Sequence, residues 1–519
     1  MSRSTSGAGM SRRDFLSRTL PAGAALAAGS ALSAPRPARA QTPARPDGPT
    51  VLRIVEKDVT IEGRTAKAFR IEQPDGTWGF VGERGQPFHV VVENQIGEPT
   101  CLHWHGLVVP NDQDGVPFVT QAPIPPGGQH EYRFPLDQAG SYLMHASDAR
   151  QRLRGLAAPL IVREPGEAGR DETEVVMFLA DWTFGDPKAL WTGLRKRLMP
   201  DGGVGRLRLV GGAEPPGPTA ARGKGPSPQR PAGGQGGADY DAFLANGRTL
   251  SDPEIVRVPA GKTVRLRVIN GASGSSYFLM LGSLTGQAVA VDGHPIVPLS
   301  SAEFELGIGS RIDVRITLPA GEGAYAIFAQ GEGTNRRSGL ILATPRATIP
   351  KPLFATHGWP AEAGPIKIDE VGFGQELRLR AAAPLARRPV DRLLTVDLEA
   401  SMADYVFRLN GQVWPNTLPL PVKQGERVEI LFRNRSGMDH PMHLHGHVFQ
   451  VIEVGHNPVA GAMRDTLLLN GNQSARIQFD ADNPGVWLLE GLVLYHERGG
   501  LATTLNYEGV PVPDFGPRQ

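Results

Sequence analysis

Three segments of this chain share one pattern: a glycine, alternating apolar residues, and an asparagine nine positions after the glycine. They are Gly85 to Asn94 (GQPFHVVVEN), Gly261 to Asn270 (GKTVRLRVIN) and Gly425 to Asn434 (GERVEILFRN). Apolar residues at every second position put one face of a strand into a core, and the flanking glycine and asparagine mark turns. A second shared element closes each copy: a turn glycine followed two residues later by an aromatic, at Gly140 and Tyr142, Gly323 and Tyr325, and Gly485 and Trp487. A strand pattern that recurs three times predicts an all-β chain of three Greek-key β-sandwiches in tandem, over residues 41–165, 166–350 and 366–511, with a tail at 512–519. The 64 glycines and 46 prolines among 519 residues agree, since both interrupt helix interiors and favour tight turns.

Residues outside this pattern have other readings. Ser11-Arg12-Arg13-Asp14-Phe15-Leu16, an alanine-rich apolar run from Leu20 to Ala34, and Ala38-Arg39-Ala40 have the order of a twin-arginine signal peptide over residues 1–40. A periplasmic or secreted protein is expected, with a mature start near Gln41. Residues 201–238 are close to half glycine and proline, which predicts a flexible insertion in the second sandwich; residues 351–365 read as a linker to the third. A single cysteine, Cys101, excludes an internal disulfide. Lys plus Arg (54) nearly balance Asp plus Glu (53), so no basic field supports nucleic-acid binding. Past the leader no apolar run is long enough to span a bilayer.

The histidines fall on the repeat. His103 lies nine residues after Asn94 and His443 nine after Asn434; His105 and His445 follow each two residues on. Residues i and i+2 of an extended segment share a face, so each pair offers two imidazoles to one cavity. The middle copy has Leu279 and Leu281 there, which reads as an apolar spacer. Five residues after Gly140 and Gly485 come His145 and Glu490, with Phe328 in the middle copy. Of 13 histidines, seven (His103, His105, His145, His440, His443, His445, His496) belong to these elements. An imidazole-rich set in an oxidising compartment points to copper.

The motifs His103-Trp104-His105-Gly106, Asp114-Gly115, Thr120-Gln121 and His440-Pro441-Met442-His443-Leu444-His445-Gly446-His447 together resemble the multicopper oxidases, along essentially the whole mature chain. The resemblance implies cupredoxin-like domains, and an activity in which a type 1 copper oxidises a small reductant and a trinuclear cluster reduces dioxygen. It places His103 and His443 as type 2 ligands and His105, His145 and His445 as type 3 ligands. It also exposes departures. Ser147, Glu490 and Leu492 stand where type 3 histidines are expected, and Gly491 stands where the type 1 cysteine is expected, between His440 and His496, with Leu501 at the axial place. Leu501 is compatible with a trigonal blue site, but the loss of the thiolate is not. One or two copper ions are therefore expected, not four. Glu490 either completes a site with His105, His145 and His445 for copper or another divalent ion, or pairs with a protonated histidine. Asp114 sits where the family has a carboxylate that relays protons, with a turn role in Asp-Gly as the alternative. Cys101 reads as a small buried residue near the type 2 region, and a ligand role is the alternative.

Two functions follow. The first is a copper-binding oxidoreductase whose reduced metal set acts on a small-molecule reductant or dioxygen, with weak or absent laccase-type turnover. The second is a non-catalytic periplasmic scaffold or stability factor with an envelope protein as partner.

Overall fold

The computed structural model describes residues 48–198, 240–349, 370–401 and 405–515. The expected leader, the glycine- and proline-rich insertion and the linker lie outside the described residues. Six sheets pair into three sandwiches. The first is built from strands between Thr50 and Arg163, the second from strands between Glu172 and Ala343, and the third from strands between Arg392 and Tyr507. The helices of the described residues are short: Ala149–Leu153, Pro187–Leu198, Phe373–Glu376 and Leu494–Arg498. None of them is long and apolar enough to cross a membrane.

The sequence repeat is also a structural one. Strands Pro87–Asn94, Thr263–Asn270 and Arg427–Asn434 each pair parallel with the first strand of their sandwich and antiparallel with a later strand. Their alternate residues, such as Phe88, Val90 and Val92 in the first copy, are buried in the core. The closing asparagine has a physical task in every copy. Asn94 Nδ2 donates to the carbonyls of Glu98 and Ile124, Asn270 Nδ2 to those of Ser275, Leu306 and Gly307, and Asn434 Nδ2 to those of Met438, Leu469 and Asn470. Each Oδ1 accepts from the backbone N–H two residues on, at Ile96, Ala272 and Ser436. The side chain thus satisfies buried backbone groups of the loop that leads into the next strand, and in the outer copies that strand carries the histidine pair. Replacing Asn434 by alanine strands several of these groups, and a loss of about 2–4 kcal/mol in folding stability is expected from denaturant titration.

Register explains the equivalence of imidazole and carboxylate. His103 faces His145 across antiparallel strands Leu102–His105 and Gly140–Ala146, and His443 faces Glu490 across His440–Leu444 and Val486–Gly491. The middle sandwich differs by one position: Leu279 faces Ala329, while Phe328 faces Met280 and clusters with it.

Candidate metal centre

Strand alternation separates two sites on neighbouring strands. Trp104 packs into the first core against Phe88 and Tyr132, so His103 and His105 turn to the opposite face. In the third sandwich Met442 and Leu444 are core residues, so His443 and His445 turn outward to meet the first pair. His440, in phase with Met442, turns the other way. The rings of the outer sandwiches interleave: His105 stacks on His443 with centroids 3.8 Å apart, and His103 lies 3.8 Å from His445. Residues 340 positions apart in sequence therefore share one hollow.

Each imidazole is fixed by its outer nitrogen. His103 Nδ1 faces the Asp114 carbonyl at 3.0 Å, His443 Nδ1 the Asp465 carbonyl at 2.9 Å, and His145 Nδ1 the Ala146 carbonyl at 3.0 Å. His105 Nε2 faces Thr466 Oγ1 at 2.9 Å and Asp465 Oδ1 at 3.2 Å. His445 Nδ1 faces Asp114 Oδ2 at 3.0 Å. A carbonyl or carboxylate only accepts, so these nitrogens carry the protons and donate. The inner nitrogens of neutral rings are then bare lone pairs. They meet in twos: His103 Nε2 and His443 Nε2 at 3.3 Å, and His105 Nδ1 and His145 Nε2 at 3.3 Å. Two ligand atoms at about 2.0–2.1 Å from one tetrahedral ion stand roughly 3.3–3.4 Å apart. The spacing at each pair is that of two ligand atoms on one ion, so the donor set fits a metal ion at each pair. His103, His105 and His443 also present nitrogens within 4.8 Å of one another, and His103, Asp114 and His445 form a second such group.

Charge divides the cluster. Burial pushes the imidazolium of His443 down to about 4 and those of His105 and His145 well below their ordinary value, so these rings are neutral. His445 is different: burial opposes its charge, but Asp114 and Glu490 outweigh it and raise its pKa to about 9. Its Nε2 lies 3.4 Å from Glu490 Oε1, and that bond holds Glu490 below the usual range against the opposing effect of burial. In the metal-free protein His445 and Glu490 are an ion pair, with Asp114 as second anion. Asp114 thus serves both outer sandwiches, its carbonyl and Oδ1 reaching His103 Nδ1 at 3.0 and 3.1 Å and its Oδ2 reaching His445. Ser147 Oγ turns away to donate to the Gly115 carbonyl, and Leu492 packs with Ile308 and Val493.

The second site holds His440 and His496, with Nδ1 atoms 3.1 Å apart. His440 Nε2 is hydrogen-bonded to Ser436 Oγ at 2.7 Å, and His496 Nε2, also buried, has no hydrogen-bond partner among the described residues. Burial pushes His440 down to about 3 and His496 well below its ordinary value. Leu501 fills the space beside them: a Cβ built on Gly491 would overlap its Cδ2. Cys101 lies elsewhere, its Sγ 3.8 Å from the Ala122 carbonyl, and burial pushes the thiol up to about 12. It is a neutral core residue.

Sequence reading missed Asp465 and Thr466, which orient His105 and His443 from the start of strand Thr466–Leu469. It also missed that the middle sandwich is more than a spacer, since its Arg311 reaches Asp465. Asp465 is the counterpart of Asp114, each giving its carbonyl to the first histidine of its own sandwich's pair and its carboxylate to the second histidine of the other's, but it lies 22 residues after His443 where Asp114 lies 11 after His103, so the spacing of the repeat does not mark it.

Comparison with known proteins agrees with this architecture. Three multicopper oxidase family models match residues 80–167, 173–348 and 387–509. The chain is 32% identical to multicopper oxidase MmcO of Mycobacterium tuberculosis over 82% of its own length and 80% of that protein. It is 26% identical to a copper resistance protein A homolog of Pseudomonas syringae over 88% of its length and 92% of that protein. Among solved structures, a multicopper oxidase of Pseudomonas thermotolerans superposes with a TM-score of 0.64 at 25% identity, covering 88% of this chain and 98% of the other. Fet3p superposes at 0.69 and 20% identity over 88% and 90%, a likeness of fold alone. With all three sandwiches matched in order and the two histidine pairs meeting between the first and third, the chain belongs to the multicopper oxidase family.

Proposed function

We propose that this protein is a periplasmic copper-binding oxidoreductase with a reduced metal set, in which copper is held by His103 with His443 and by His105 with His145, and in which no blue type 1 centre forms. One observation carries the reading: two pairs of buried imidazoles, their outer nitrogens held by oxygen atoms, bring their inner nitrogens to 3.3 Å of each other. Copper bound there supplies one-electron redox chemistry toward a small reductant or dioxygen. The chain's own contribution is orientation and charge. The carbonyls of Asp114, Asp465 and Ala146 fix the ring tautomers, and the nearly complete burial of the rings excludes bulk water. His445 holds a proton between Asp114 and Glu490, next to His103, where a reduced product would need one. Export through the twin-arginine route rests on the leader residues Arg12 and Arg13. The relationship to a copper resistance protein homolog supports a copper-exposed compartment.

The scaffold reading has one observation in its favour, the closing of the second site by Leu501. Metal analysis separates the two. Protein loaded with copper under reducing conditions and desalted is expected to retain one or two ions per chain, to oxidise phenols slowly and to lack an intense visible band. H443Q is expected to lose an ion. Negligible copper in the unaltered protein would leave the scaffold reading standing.

A further inference from the structure

We propose that Arg311, on strand Arg311–Thr317 of the middle sandwich, is a positioning residue for the metal centre and sets the orientation of His105 through Asp465. The proposal rests on the copper-binding reading. Arg311 is fully buried. Its Nη1 and Nη2 donate to the two oxygens of Asp465 at 2.9 and 2.5 Å, a bidentate fork, and its Nε donates to the Ser141 carbonyl of the first sandwich at 3.0 Å. One guanidinium thus joins all three sandwiches. Asp465 in turn presents Oδ1 to His105 Nε2 at 3.2 Å and to the Thr466 hydroxyl at 2.8 Å, and Thr466 Oγ1 lies 2.9 Å from His105 Nε2 and 3.1 Å from His443 Nδ1.

Geometry makes this a device and not an incidental ion pair. His105 is the one ring of the four lone-pair partners whose outer nitrogen is held by side chains alone. A carboxylate free to rotate would let the ring flip its tautomer and withdraw the Nδ1 lone pair from His145. The guanidinium fork removes that rotation. Arg311 is itself held: its backbone N–H donates to Asp292 Oδ1 at 2.9 Å, and Asp292 Oδ2 accepts from Arg464 Nη1 at 3.2 Å. The approach also explains the glycine that closes His103-Trp104-His105-Gly106. Gly106 has φ +93°, and a Cβ there would overlap Arg311 Nη2 and lie 2.7 Å from Asp465 Oδ2. The fork and the histidine strand come together only because residue 106 has no side chain.

R311Q, R311K and D465N would be compared with the unaltered protein and with R163Q, which removes a buried arginine paired with Glu174 away from the metal centre. Two readouts are taken on full-length protein: copper affinity by competition with a chelator, and the His105 tautomer in metal-free protein carrying 15N-labelled histidine. R311Q and D465N are expected to lose about tenfold or more in copper affinity and to give a mixed tautomer at His105. R311K, which keeps charge without the fork, falls between, and R163Q matches the unaltered protein in both. If R311Q does not fold, the near-isosteric D465N decides. Unchanged affinity and an unchanged Nε2–H tautomer in D465N would overturn the proposal. If the unaltered protein takes up no copper, the functional reading falls, while the tautomer comparison still decides whether Arg311 positions His105.

Discussion

G491C loaded with copper is expected to remain colourless, whereas G491C/L501A is expected to turn blue. His440 and His496 already point their Nδ1 atoms at each other at 3.1 Å, and Gly491 ends the strand beside His440, facing Met442 across the pair. A trigonal blue site adds a soft thiolate to two imidazoles, which suggests that one substitution would supply it. Packing says otherwise. Leu501 is fully buried, and its Cδ2 occupies the position a Cβ at residue 491 requires. Leucine occupies the volume that a side chain at residue 491 would need, so a cysteine introduced alone forces either residue off its rotamer, at about 1–3 kcal/mol, and directs its sulfur away from the imidazoles. Trimming Leu501 to alanine by itself would open a cavity costing about 2–5 kcal/mol, which the sulfur and a bound ion partly refill. No axial ligand is needed for the blue colour. Visible absorption and electron paramagnetic resonance of the two copper-loaded variants check this. A blue single variant, or a folded and copper-loaded double variant without the charge-transfer band, would show that Leu501 is not the obstacle.

The same contrast, between chemistry that a repeat advertises and packing that it does not, runs through the molecule. The alternation in Gly85–Asn94 and its two copies fixed the strands, because a period of two has one structural solution. The meeting of His103 with His443 was legible for a related reason: matching positions in two copies of one fold present matching edges. Equivalence of His145 and Glu490 was legible too, yet what Glu490 does was not, since only the packed sandwiches place His445 between it and Asp114. The middle copy misled. Leu279 and Leu281 advertise a domain without ligands, and an isolated arginine such as Arg311 most often belongs to a solvated face; its burial against Asp465 depends on how separate sandwiches dock, which no local pattern encodes. Phe328 shows the smaller error of counting from a turn glycine when the register has moved by one residue.

Substitution of Asp313 by asparagine is expected to cost about 3–5 kcal/mol at neutral pH, and the cost is expected to shrink in acid. Asp313 lies in the second sandwich, at its seam with the first. Its carboxylate accepts from Ser141 Oγ of the first sandwich at 2.5 Å and from Arg265 and Arg267 of the second at 2.8 and 2.7 Å. Arg267 is fully buried and also donates to Glu174 at 2.7 Å, which Arg163 of the first sandwich meets at 2.7 Å. Glu167 completes the seam by accepting from both Arg265 and Arg267, so three arginines face three carboxylates, and removing the Asp313 charge leaves the cations in excess. Burial alone would raise the Asp313 pKa, but Arg267, Arg265 and the Ser141 hydroxyl outweigh it, and the folded value lies below the ordinary one. A depressed carboxylate stabilises the fold fully above its unfolded pKa of about 3.9 and loses that contribution as pH falls through the folded value. D313N has no such group to titrate. The difference in denaturant midpoint between the two proteins should be large at neutral pH and should narrow below about pH 4, and Glu174, depressed by Arg267 and Arg163 despite its burial, adds the same sign of acid sensitivity to both. A difference that stays constant from neutral pH into that acid window would mean the seam is held by packing and hydrogen bonds, with the charge of Asp313 contributing nothing.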